Sequence, residues 1–87
     1  MTTHETPDVP VGTVLSLRAE DWSLGNASPG PLVLRVERVR WDLFSRLWSG
    51  GYVWVEGCQL RESDRMPLGH VEVTVLFGCL TERREAA

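Results

Sequence analysis

The chain has 87 residues, enough for one domain around one modest hydrophobic core. With 43% hydrophobic residues, 24% charged residues and a formal net charge of −3, it is too apolar for a disordered chain and too acidic for indiscriminate attachment to phosphate backbones. No apolar run approaches the roughly 20 residues that span a bilayer, and residues 1–10 lack the basic-then-apolar order of a secretory signal. No membrane association is expected, and the expected compartment is the cytoplasm.

Residues 1–10 are polar and contain Pro7 and Pro10, which marks a mobile N-terminal tail; residues 82–87 are charged and then featureless, a second tail. The single domain is expected over 11–81. Its first strand lies in 11–18, where Val11, Thr13, Leu15 and Leu17 alternate with Gly12, Val14, Ser16 and Arg18. Glu20-Asp21-Trp22 leads into a loop over 23–31 whose Gly, Pro, Asn and Ser residues supply positive φ, fixed φ and local hydrogen bonds.

The second strand, 32–40, sets Leu32, Leu34 and Val36 on one face, yet the next apolar residue, Val39, comes three positions later instead of two. A β-bulge near Glu37-Arg38 restores Val39 to the inner face. Residues 41–48 have two readings. Leu43/Leu47 and Phe44/Trp48 are i,i+4 pairs, which suits one or two short helical turns closed by glycine at Ser49-Gly50-Gly51; alternatively the strand runs past Trp41 into a longer hairpin. The third strand, Tyr52–Leu60, has Val53 and Val55 on one face, with Cys58 and Leu60 on the other unless Gly57 marks a bulge. The fourth, over 70–77, alternates Val71, Val73, Val75 and Phe77 against His70, Glu72, Thr74 and Leu76.

Four antiparallel strands joined in order and coiled at bulges predict an all-β fold, a small meander rolled into a half-open SH3-like barrel with unpaired edges at its first and fourth strands. The run Val11-Gly12-Thr13-Val14-Leu15-Ser16-Leu17, then Glu20-Asp21-Trp22, then Leu32-Val33-Leu34-Arg35-Val36, resembles short uncharacterised actinobacterial proteins with a barrel of this kind. The resemblance implies no activity and no functional residue.

Residues for catalysis are few. A nucleophilic thiol needs a base in hydrogen-bond reach, and Cys58, Cys79 and His70 are the available parts. Free cysteines usually pack as small apolar groups, so both thiols are expected to be reduced and buried, and the protein is expected not to be an enzyme. No two of Cys58, Cys79, His70 and His4 have zinc-ligand spacing, so no metal and no cofactor is expected. Glu20-Asp21 and Glu62-Ser63-Asp64 read as solvated turn acids, and the loop at 25–30 lacks the lysine and helix of a phosphate cradle.

The concentrated feature is aromatic. Three of four tryptophans, Trp41, Trp48 and Trp54, fall with Tyr52 in a stretch that also carries Arg35, Arg38, Arg40 and Arg46, and Trp and Arg are the residues most enriched at the energetic centres of interfaces. The candidate partner-binding residues are Arg35, Arg38, Arg40, Trp41, Trp48, Tyr52 and Trp54. A non-catalytic protein-interaction or adaptor module, binding another protein or a second copy of itself, is the first reading. A single-stranded nucleic-acid-binding barrel is the second, since rings and arginines together suit stacking and backbone tracking, but Glu37 and Asp42 alternate with those arginines as intramolecular partners do. A small-molecule-binding or catalytic barrel is the third. In the plainer alternative, 41–48 folds over Trp54 and completes a second small core.

Overall fold

The structure, a computed structural model, describes residues 8–24, 30–45 and 51–85, with backbone alone at 43–45. Five strands, β1 (Val14–Leu17), β2 (Trp22–Ser23), β3 (Leu32–Ser45), β4 (Tyr52–Leu60) and β5 (Pro67–Leu76), form one antiparallel sheet in the order β1-β3-β4-β5-β2. The sheet curls through 209° into a half-barrel. The fold is thus mostly β, and the helical turn in it is α1 (Cys79–Glu82). At 41–48 the helical alternative fails as far as Ser45, which ends β3; residues 46–48 lie outside the described residues. Arg40 pairs with Trp54 and Ser45 with Tyr52, so residues 41–44 stand opposite Val53 alone in a wide bulge.

The curl follows from two local features. Val36 pairs with Gly57 and Arg38 with Glu56, which leaves Glu37 as the extra residue of the expected bulge and turns Val39 inward against the core. Opposite it, Gly57 adds no extra residue but removes a side chain where the sheet folds on itself: a Cβ there would lie 2.3 Å from the Arg35 carbonyl oxygen and 2.9 Å from Leu34 Cδ1. Cys58 and Leu60 therefore keep the outer face, where they form a small cluster with Val33 and half-buried Val14.

The main core fills the concave side. Leu15 and Leu17 from β1, Trp22 from β2, Leu32, Leu34 and Val36 from β3, Val53 and Val55 from β4, and Val73 and Val75 from β5 meet Cys79 and Leu80 of α1. Burying each of these aliphatic side chains contributes roughly 1.5–3 kcal/mol. The period-2 pattern of each strand is what aims them at one another.

The edges differ from an open meander. A 3-10 turn, Ala19–Asp21, carries the chain from β1 at one edge to β2 at the other, where Trp22 and Ser23 pair with Val75 and Thr74 of β5. Trp22 is buried and its indole Nε1–H donates to the Gly30 carbonyl at 2.8 Å, satisfying the ring's polar atom inside the barrel. At the opposite edge, residues 83–85, read from sequence as part of a mobile tail, bond to β1 through Ser16 and Val14. Both edges expected to be unpaired are therefore at least partly paired, because sequence-distant segments reach them.

Candidate functional site

The convex face of the sheet carries most of the candidate residues. Strand alternation and register stack them in rows across β3, β4 and β5: Arg40, Trp54 and Thr74; then Arg38, Glu56 and Glu72; then Arg35, Cys58 and His70. Tyr52 is half-buried at the end of this face, opposite Leu76. Trp54, in the central strand, is 37% exposed, an uncommon state for a large ring in the middle of a sheet.

The charges around it are largely met within the molecule. Arg40 donates from Nε to Asp42 Oδ1 at 3.1 Å and from Nη2 to Asp42 Oδ2 at 2.9 Å, and its Nη1 lies 3.7 Å from Glu56 Oε2. The hydrogen bonds to Asp42 hold the Arg40 guanidinium above its ordinary pKa, and the same bonds hold the Asp42 carboxyl below the usual carboxylate range. Arg38 reaches Glu56 only at 3.9 Å and its side chain is 65% exposed, which makes it the freer cation. Glu37, on the bulge, meets His70 Nδ1 at 3.4 Å, and Glu72 lies 3.9 Å from Nε2.

The structure therefore gathers Arg35, Arg38, Arg40, Tyr52 and Trp54 on one face and separates Trp41 from them. Trp41 is half-buried against the main core, edge-on to Phe77 with ring centroids 6.2 Å apart. The bulge that turns Val39 inward carries Trp41 inward two residues later, a consequence already contained in the spacing. Trp48 lies outside the described residues. A second small apolar cluster does exist, but Val33, Cys58 and Leu60 form it, and Trp54 is not a member.

Sequence reasoning missed a second constellation. Asp21, 3% exposed, accepts hydrogen bonds from the Arg18 N–H at 2.8 Å and from Arg83 Nε at 2.8 Å. Burial pushes its pKa up, but the bonds from the Arg18 N–H, Arg83 and the Cys79 thiol outweigh burial and leave it below the ordinary value. Burial, with the hydrogen bond to Asp21 second, pushes the Cys79 thiol up to about 11. Read as a solvated turn acid, Asp21 is in fact an interior anchor, and only its distant partner Arg83 reveals the role.

Cys58 and His70 are cross-strand neighbours, yet the Cys58 thiol donates to the Gln59 carbonyl at 3.5 Å while the imidazole faces Glu37 and Glu72. Among the described residues no three His, Cys, Asp or Glu side chains are grouped to hold a metal ion, and no buried side-chain nitrogen or oxygen lacks a partner. No protein-family model, curated protein or solved structure matches the chain.

Proposed function

We infer that this half-barrel is an SH3-like, non-catalytic interaction module that docks another protein on its convex face, with Trp54 as the apolar anchor. The observation that carries the reading is Trp54 itself: a ring 37% exposed at the middle of a three-strand surface, flanked by Arg40 and Thr74 and rimmed by charged side chains. An apolar centre inside a polar rim is the ordinary anatomy of a binding patch. Exposed Arg38 beside it suits a partner that brings an apolar side chain and a neighbouring carboxylate.

Nucleic acid fits this face less well. Arg40 is committed to Asp42 and Glu56, and Glu37, Glu56 and Glu72 share the surface with the arginines, so a phosphate backbone would meet as many anions as free cations. The compartment that suits two unpaired thiols in separate clusters, Cys58 outside the barrel and Cys79 within, is a reducing one, the cytoplasm.

The test is a comparison of the intact protein with its Trp54→Ala variant against proteins that co-purify with it and against labelled single strands. The expected result is a protein complex that loses on the order of 2 kcal/mol or more on Trp54→Ala with modest salt dependence. Single-strand binding that falls steeply with salt and weakens on Arg38→Ala would put nucleic acid first. A complex indifferent to Trp54→Ala would move the surface elsewhere.

A further inference from the structure

Residues 83–85 act as a short sixth strand. The Ser16 N–H donates to the Arg83 carbonyl at 2.8 Å, the Glu85 N–H donates to the Val14 carbonyl at 2.9 Å, and Leu15 lies opposite Arg84. This is how an added peptide extends a sheet edge. The hold of the segment is polar throughout. Arg83 Nε donates to buried Asp21, Arg65 bonds to the Glu85 carboxylate, and Arg84 donates to the carbonyl oxygens of Leu80 and Asp8. Beyond fully buried Leu80 no described residue buries an apolar side chain, so the segment can peel away without opening the core.

What it would leave behind is already built. The Ser16 N–H and Val14 carbonyl remain on the edge of β1, the Asp21 carboxylate keeps its hydrogen bond from the Arg18 N–H, and Arg65 stands at the far end. An open groove of about 530 Å³ runs alongside the seated segment, walled by Arg18, Glu20 and Pro31 together with Glu82 and with Arg83 and Arg84 of the segment itself. We propose that the edge of β1 is a second docking site, taking an extended segment of another protein that carries an arginine and, two residues on, a carboxylate, and that residues 83–85 occupy this site in cis.

The occupant's chemistry is set by the segment already seated. Asp21 Oδ2 accepts from both the Arg18 N–H and Arg83 Nε, so with the segment gone the same oxygen is open to a side-chain donor at the depth Arg83 reaches, while Arg65 selects a carboxylate at the position of Glu85. The cis segment competes at an effective concentration of roughly millimolar, so an incoming segment gains access when the tail is loosened. The site is separate from the convex face and does not depend on the reading of Trp54.

The test uses the full chain and, as probe, a fluorescently labelled synthetic peptide of residues 81–85, followed by anisotropy. The expected result is binding at least tenfold tighter to the Arg83→Ala/Glu85→Ala variant than to the wild type, abolished by adding Asp21→Asn and by alanine at the first arginine of the peptide. Equal binding to both proteins, or a gain that survives Asp21→Asn, overturns the proposal. If the variant does not fold, hydrogen exchange on the wild type decides. The amides of Ser16 and Glu85 should exchange at least tenfold faster than core amides of β4, through an opening insensitive to denaturant; exchange only by global unfolding overturns the proposal.

Discussion

Glu37 and His70 meet at 3.4 Å on the convex face, although one belongs to β3 and the other to β5 with β4 lying between them. The extra residue at the β3 bulge makes the reach possible, and the contact passes over the Glu56–Cys58 stretch of β4, where Cys58 pairs directly with His70. Cys58, clustered with Val33 and Leu60 and paired with His70, is 8% exposed on a face that is otherwise half open.

His70→Ala should therefore raise the reactivity of Cys58. In the native wild type both thiols are expected to react slowly with a thiol reagent, Cys58 for lack of access and Cys79 because it is buried with a pKa pushed up to about 11. Mass-spectrometric mapping of labelled sites should show several-fold faster modification of Cys58 in the variant and unchanged modification of Cys79. Equal acceleration at both would indicate general loosening instead.

Asp21 makes stability depend on acid. Its folded-state pKa is depressed below the ordinary 3.8, so the stabilisation is fully present above that unfolded value and is lost as pH falls through the lower folded value. Asp21→Asn should cost about 1–3 kcal/mol at neutral pH, since it leaves the partly buried Arg83 without its counter-charge but keeps an acceptor for the Arg18 N–H. Denaturant titrations at several pH values should show the gap between variant and wild type closing below about pH 4.

Gly57→Ala tests the cause of the curl. The added methyl would lie 2.3 Å from a backbone oxygen that cannot swing aside, so the strands must separate locally. A loss of about 2–3 kcal/mol, or failure to fold, is expected in urea unfolding. A change under about 0.5 kcal/mol would mean that the sheet is flatter at this point than the structure has it.

Neighbouring residues on the two faces of β4 should behave oppositely. Val55, fully buried, should cost about 2 kcal/mol or more on replacement by alanine, whereas Trp54→Ala, despite removing a far larger side chain, should cost about 1–2 kcal/mol. Chemical denaturation of the two variants compares them directly. A loss of several kcal/mol at Trp54 would make it a core residue and remove the proposed anchor.

The sequence by itself determined the inner faces of the long strands, because a period of two is a local property: each alternation names the side that must leave water whatever its neighbours do. The bulge at Glu37 was legible for the same reason, as a one-residue slip between Val36 and Val39, and the same parity carried Trp41 inward although its residue type suggested a surface. Only the tertiary structure decided what joins distant segments. Residues 83–85 look like part of a charged tail along the chain and become a strand because β1 offers an unpaired edge. Asp21 looks like a solvated turn acid and becomes an interior anchor because Arg83, 62 positions away, arrives beside it. Local patterning sets which way a side chain faces; the partner it finds there depends on how the sheet curls, and no local pattern encodes that.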